Sequence, residues 1–284
     1  MSAILRSSRP APQAPVPPHG VGNRLRRVAR DTWTITIRDV QHWVRQPTPV
    51  VLNLLFPVLQ VLLFGYLFGG ALRVPGGGNY REFLLPGLFA MTMVFGLEVT
   101  MSSVAVDARR GVNDRFRSLP MAAAAVVAGR GVADLLNAVL GLLVMLATGL
   151  AVGWRAHGGA GATLAAVGLL LLLRFSLIWV GVFLGLVVKS PDAVASVQIL
   201  VWPLGFLSNA FVAPSTMPGW LGAIADGNPL SSTVTATRHL FGNPGFDNSS
   251  WIGQHATLFA VLWPLVITAV FLPLSVRRYR RLGR

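Results

Sequence analysis

Residues 107–121 read Asp107-Ala108-Arg109-Arg110-Gly111-Val112-Asn113-Asp114-Arg115-Phe116-Arg117-Ser118-Leu119-Pro120-Met121, and an Ala/Val run carries the chain on to Gly129-Arg130. This polar, basic stretch lies between two long apolar runs. A bilayer core takes about 20 residues of helix to cross, so runs of that length hold the chain in a membrane and the stretch must protrude on one side. Gly111 and Pro120 bracket a short helix-compatible piece. Val112, Phe116 and Leu119 fall at i, i+4 and i+7, one face of a helix, and leave Arg115 and Arg117 exposed. A short amphipathic helix between two spans suits docking to another protein. The plainer reading is a basic anchor that orients the spans.

Composition points the same way. Of 284 residues, 53% are hydrophobic and 12% charged, against about 25% charged in soluble domains. The net charge is +14. The arginines sit between apolar runs rather than clustered on a soluble domain, so membrane orientation explains them better than nucleic-acid binding does. The chain has no cysteine, which excludes disulfides, thiolate chemistry and zinc–cysteine sites. Lys189 is its one lysine.

Residues 1–23, with Pro10, Pro12, Pro15, Pro17 and Pro18, read as a disordered tail without the apolar core of a signal peptide, so an uncleaved N-terminus is expected. Residues 24–46 read as an amphipathic helix in the membrane interface. Trp33, Ile37, Val40 and Val44 recur at helical spacing, and Asp31, Arg38 and Arg45 occupy another face. Pro47-Thr48-Pro49 breaks it. Six spans then follow, over about 50–72, 83–106, 132–153, 163–188, 193–213 and 255–276. The longest loop, Pro214 to Gln254, holds two short helical pieces: apolar Trp220 to Ala225, and Leu230 to Phe241, with Asn228 as N-cap and Pro229 at its first position. Both are expected near the membrane surface, partly re-entrant.

With six spans both termini share a side. That side collects the N-terminal arginines, the five from Arg109 to Arg130, Lys189 and the five C-terminal arginines; the other has Arg73, Arg81, Arg155 and Arg238. The asymmetry places both termini and the connector in the cytoplasm.

Catalytic motifs are missing from the sequence. No phosphate loop occurs, since Val187-Val188 precede the one Lys-Ser pair, and H-E-x-x-H and G-x-S-x-G are absent. The five histidines are scattered without metal-ligand spacing, so no metal site is expected. Two ionisable residues do lie within spans, Glu98 and Arg174. An arginine at mid-span costs about 2.5–3.5 kcal/mol on insertion scales, so Arg174 must face protein or a water-filled cavity. A Glu98–Arg174 pair would have to bridge a depth difference of about six residues, or about 9 Å. Asp134 is expected to pair with Arg130 four residues earlier.

The chain resembles the membrane subunits of ABC-2-type exporters, in particular the daunorubicin/doxorubicin-resistance-type permeases. The stretches that carry the resemblance are Tyr80-Arg81-Glu82-Phe83-Leu84-Leu85-Pro86-Gly87, Arg110-Gly111 through Arg115-Phe116-Arg117-Ser118-Leu119-Pro120-Met121, and Met217-Pro218-Gly219-Trp220-Leu221 with Asn228-Pro229-Leu230 and Arg238. Their order and spacing match over about residues 24–284. The resemblance implies an all-α integral membrane protein: six transmembrane helices, an N-terminal interfacial elbow helix, a cytoplasmic coupling helix and short re-entrant helices before the last span. The expected organisation is a tail (1–23), an elbow helix (24–46) and a six-span domain (47–284).

In the bacterial cell membrane such a chain would be the permease of an ATP-driven exporter of a bulky amphipathic or hydrophobic compound. It would itself be no enzyme and bind no cofactor. Its partners would be an ATP-binding subunit carrying ATP-Mg, a second permease subunit (identical or different) and membrane lipids. The coupling residues would be Asp107, Arg109, Arg110, Gly111, Arg115, Phe116 and Arg117. The outer-loop and re-entrant residues would be Pro218, Gly219, Trp220, Asn228, Pro229 and Arg238. One departure is Asp107-Ala108-Arg109, where many relatives place a glutamate-rich approach to the glycine. The alternatives are a stand-alone ion-coupled transporter, which would want more acidic or His residues in its spans, an intramembrane enzyme, which would want catalytic pairs, and a scaffold without transport. Replacing Phe116 and Arg117 together is expected to uncouple ATP hydrolysis from transport while leaving membrane insertion intact; unchanged transport by the double variant in vesicles would count against the coupling assignment.

Overall fold

A computed structural model describes residues 21–45, 47–67, 79–109, 123–188, 190–246 and 250–281. The regular elements among them are all helical: α1 (Val21–Arg45), α2 (Pro47–Leu62, continued by a π-turn at Leu63–Leu67), α3 (Tyr80–Arg109), α4 (Ala123–Ala151), α5 (Gly159–Val187), α6 (Pro191–Phe206), α7 (Gly219–Gly227), α8 (Pro229–Phe241), α9 (Trp251–Gln254) and α10 (Ala256–Arg281), with a 3₁₀ turn at Pro214–Thr216. The expected tail (1–20 of it), Lys189 and the connector from Arg110 to 122, with Gly111, Arg115, Phe116 and Arg117, lie outside the described residues.

By length and composition α3, α4, α5 and α10 can each cross a membrane, and α1 with α2, bent by 75° between them, can count as a fifth span. The expected end of the first span, 68–72, lies outside the described residues. The six-span expectation differs at one place. The fifth, expected over 193–213, is a 16-residue helix that stops at Phe206.

The sequence that follows α6 explains why it stops. Pro203 sits in its last turn. The Asn228 side-chain amide donates to the carbonyls of Leu204 at 2.9 Å and Leu207 at 2.7 Å, satisfying acceptors that a helix end leaves free. The carbonyls of Asn209 and Ala210 are turned toward Arg238. Residues 207–213 therefore spend their acceptors on side chains rather than on a further helical turn.

The centre of the bundle is α3, buried from Tyr80 to Ala105 along most of its length. It packs on α5 at unusually short range. An added Cβ at Gly181 would come within 3.0 Å of the Leu97 carbonyl oxygen and of the Thr100 Cβ, and one at Gly185 within 2.6 Å of the Met101 carbonyl oxygen and 2.7 Å of the Val104 Cβ. Small residues four apart let two helix backbones approach this closely inside a membrane.

Helix α8 is the expected short helix of the long loop, and its burial is the surprise. Its sequence, Pro229-Leu-Ser-Ser-Thr-Val-Thr-Ala-Thr-Arg-His-Leu-Phe241, is polar, yet ten of its residues are buried, so it is no surface helix. It tolerates burial because most of its hydroxyls are occupied, Ser232 Oγ being the exception. Thr233 and Thr237 donate to carbonyls one turn back, Ser231 Oγ accepts the Asn209 N–H at 3.0 Å, and Asn209 Nδ2 donates to Thr235 Oγ1 at 2.6 Å. The expected cap is present: Asn228 Oδ1 accepts the Leu230 N–H at 2.9 Å, with Pro229 at the first position. Gly242, at φ +66°, closes the other end in the left-handed conformation that glycine adopts freely.

Arg238 is 2% exposed. Its Nε donates to the Phe83 carbonyl at 3.0 Å, Nη1 to Asn209 at 2.9 Å and Nη2 to Ala210 at 2.8 Å. The guanidinium lies 4.1 Å from the Phe83 ring centre and 5.4 Å from that of Phe246. Burial pushes its pKa down to about 9, which leaves it protonated near neutrality. Gly87 supports the arrangement, because a Cβ there would stand 2.8 Å from the Ala210 carbonyl oxygen. Replacing Arg238 by Met strands three carbonyls, each worth about 1–3 kcal/mol when left unmet. We expect a collapse of monodisperse yield in detergent. Arg238→Lys should rescue it only in part, since an ammonium lacks the planar fork; full rescue by lysine would show that charge alone suffices.

Candidate functional site

Between α2, α3, α4, α5 and α6 lies a cavity of about 210 Å³. Its wall is mostly apolar and aromatic, with Phe56, Phe95 and Trp202 in mutual contact at 5.7 Å (Phe56–Trp202) and 4.5 Å (Phe95–Trp202). Asn53, Thr92, Glu98, Asn137 and Arg174 add polar groups. Both intramembrane residues singled out from the sequence thus open onto one space.

They do not pair. Arg174 is 3% exposed and its Nη2 donates to Thr100 Oγ1 at 2.8 Å, while its Nη1 and Glu98 Oε1 have no hydrogen-bond partner. The arginine side chain bridges the expected depth difference. Gly181, seven residues after Arg174, packs at Leu97 and Thr100, so the Arg174 backbone lies well before Glu98 along the two helices. A Cβ on Gly96 would stand 2.7 Å from the Arg174 guanidinium carbon, which brings the cation to the stretch from Gly96 to Thr100. Asp134 of α4 lends Arg174 a favourable charge without a hydrogen bond to it. Asp134 is not the partner of Arg130 that the i,i+4 spacing suggests; that partner is Asp107. One cation thus shares the bundle interior with two carboxylates, an expensive grouping at membrane depth.

The connector has a fixed root. Arg130 Nη1 donates to Asp107 Oδ2 at 2.7 Å and its Nη2 reaches Ser103 Oγ. Arg38 of α1 stands 4.0 Å from the same Asp107 oxygen. The C-terminal end of α3 and the second turn of α4 are therefore tied together near where the connector leaves and returns. Of the expected coupling residues, Asp107 is engaged in this tie and Arg109 is exposed at the end of α3; the other five lie outside the described residues. Helix α1 joins the same root. Thr36 Oγ1 donates to the Gly129 carbonyl at 3.1 Å, and a Cβ on Gly129 would stand 2.8 Å from the Ile35 Cβ. The apolar stripe read from the sequence faces away from this contact: Trp33 and Val44 are 61% and 77% exposed.

At the opposite end, Arg238 reaches the start of α3, while Asn228 holds the end of α6 and, with Pro229, opens α8, as described. Pro218 and Gly219 open α7, where Pro218 accepts the N–H groups of Leu221 and Gly222 at 2.8 and 2.9 Å. Trp220 is 69% exposed and takes no part in the Arg238 cluster. Among the described residues no three His, Asp or Glu side chains come together to hold a metal ion. Sequence reasoning missed Asp134 as a member of the interior charge group and the aromatic wall at Trp202. A helical wheel of α4 carried the first signal; the second needs three helices brought together.

Residues 30–241 match the ABC-2 type transporter family. The chain is 38% identical over 264 residues to a daunorubicin resistance ABC transporter permease protein of Streptomyces coeruleorubidus, covering 91% of this chain and 90% of the relative. It is 24% identical over 240 residues to a probable doxorubicin resistance ABC transporter permease protein of Mycobacterium tuberculosis, covering 83% and 85%. It is 25% identical over 209 residues to an inner membrane transport permease of Escherichia coli, covering 72% and 78%.

Removing one partner of a buried charge group costs about 3–5 kcal/mol, because the other charge is left uncompensated. Arg174→Met should therefore unfold at markedly lower temperature in detergent, and adding Asp134→Leu should recover part of the loss. A double variant no more stable than Arg174→Met would remove Asp134 from the charge group.

Proposed function

This chain belongs to the ABC-2 type transporter family, and we propose that it is the permease subunit of an ATP-driven exporter of a bulky amphipathic or hydrophobic compound. Permeases of this family are membrane subunits and not enzymes; ATP hydrolysis lies in a separate subunit. The absence of a phosphate loop from this sequence agrees with that division of labour. The observation that carries the proposal is the family match, which runs through the bundle from α1 to α8.

In this reading the connector, with Arg109, Arg110, Gly111, Arg115, Phe116 and Arg117, docks on the ATP-binding subunit, which carries ATP-Mg. Asp107 positions it through Arg130. The tie between α3 and α4 supports such a role, because a connector whose two ends are held together passes displacement to both helices at once. The termini and connector face the cytoplasm of a bacterial cell, a placement that the arginine distribution supports. α1 is the interfacial elbow, its uncovered stripe of Trp33, Ile37 and Val44 facing lipid. α7 and α8 are the re-entrant pair before the last span, and α2 and α6 complete the six crossings. A second permease subunit covers part of the apolar surface of α2 and α6. The cavity at Glu98 and Arg174 lies on the cargo's path: its aromatic wall suits an apolar body and its charges a polar end.

Gentle extraction of the tagged chain from its native membranes tests the proposal. A stoichiometric soluble protein carrying a phosphate loop is the expected companion; a well-folded, abundant preparation without one would favour a stand-alone transporter or a scaffold.

A further inference from the structure

Ser275 of α10 donates to the Trp179 carbonyl at 3.0 Å and pins α10 on α5. Beyond that bond a groove of about 400 Å³ opens between the ends of the two helices, lined by Phe183, Val187, Leu274, Arg277, Arg278 and Arg281. Its floor is apolar, its rim is three guanidiniums, and no carboxylate lines it. None of the three arginines has an ion-pair partner among the described residues. Arg278 Nε is buried without a hydrogen-bond partner. The three fall at i, i+1 and i+4 along α10; Arg280 falls outside the groove.

We propose that this groove binds one anionic phospholipid, its phosphate on the guanidiniums and an acyl chain along Phe183, Val187 and Leu274. Each part of the site argues for an amphiphile. Guanidiniums present paired N–H donors that match phosphate oxygens, and a buried N–H of a cation is costly to leave unmet. An inorganic phosphate would satisfy the rim and leave the floor bare. A zwitterionic headgroup would bring an ammonium toward three like charges. Orientation of the span needs basic residues near its end, but not three gathered round one apolar gap. The groove also lies where two spans terminate, at headgroup level. Basic pockets between helices at that level take anionic headgroups. The proposal does not depend on the cargo or on the ATP-binding partner.

The test is thermal unfolding of the detergent-purified full chain with added phosphatidylglycerol, phosphatidylcholine or inorganic phosphate. A ligand about a hundredfold above its dissociation constant should raise the midpoint by about 5 °C. That shift is expected with phosphatidylglycerol and not with phosphatidylcholine. It should vanish in the Arg277→Gln/Arg278→Gln/Arg281→Gln variant and persist in Arg280→Gln. Equal responses from those two variants would overturn the site as a mere sum of surface charge. A phosphate arm that reproduces the shift would overturn the lipid assignment. If the triple variant cannot be purified, a photoreactive phosphatidylglycerol on the wild-type chain decides: adducts at the ends of α5 and α10 support the site, and adducts confined elsewhere overturn it.

Discussion

A guanidinium with no carboxylate partner among the described residues holds one end of this bundle together. Arg238 spends its N–H groups on three backbone carbonyls from two distant segments. A carboxylate partner would have brought a second charge to be desolvated. Carbonyls whose segment has left regular structure need donors in any case. The exchange is mutual: residues 207–213 can abandon helix because Arg238, Asn228 and Ser231 meet their polar groups, and Arg238 can be buried because those groups are presented to it. The stretches before α3, after α6 and within α8 form one construction, and none of them has this shape alone.

The interior of the bundle follows a different rule. Glu98, Asp134 and Arg174 come from three helices and are incompletely satisfied, with bare atoms on all three. Structural polar groups at membrane depth are normally bonded in full. Groups left short beside a cavity are in the state from which they can exchange partners, and the aromatic wall at Trp202 supplies the apolar counterpart. Rigid satisfaction at Arg238 and open satisfaction at Arg174 divide the molecule into a part that holds and a part that can respond.

Much of this was legible in the residues. The long helices announce themselves by apolar runs, and the cap at Asn228-Pro229 by a local rule that needs no tertiary knowledge. The end of α6 was not legible, because it is set by side chains more than twenty residues further on. Asp134 was assigned to Arg130 by helical spacing and lost to Asp107, which lies 23 residues before Arg130 and is brought close by the return of the connector. The depth difference between Glu98 and Arg174 was legible from the apolar edges and agrees with the register that Gly181 and Gly185 set against α3. That the long arginine side chain reaches along α3 to Gly96 and Thr100 was not legible. The family resemblance drew its three motifs from separate places in the chain; the structure brings the first and the third into contact at Arg238.

The glycine contacts between α3 and α5 have a mechanical meaning. With the Thr100 and Val104 side chains lodged against Gly181 and Gly185, neither helix can slide along the other without lifting out of register. The two therefore move as a single strut. Under the proposed coupling, a push delivered where the connector leaves α3 would tilt that strut as a body, with the Arg174–Thr100 bond intact. The cavity can change shape only on its other sides, where α2 and α6 present large apolar residues such as Leu59 and Ile199 to the surroundings. Its opening is thereby assigned to the helices that are held least.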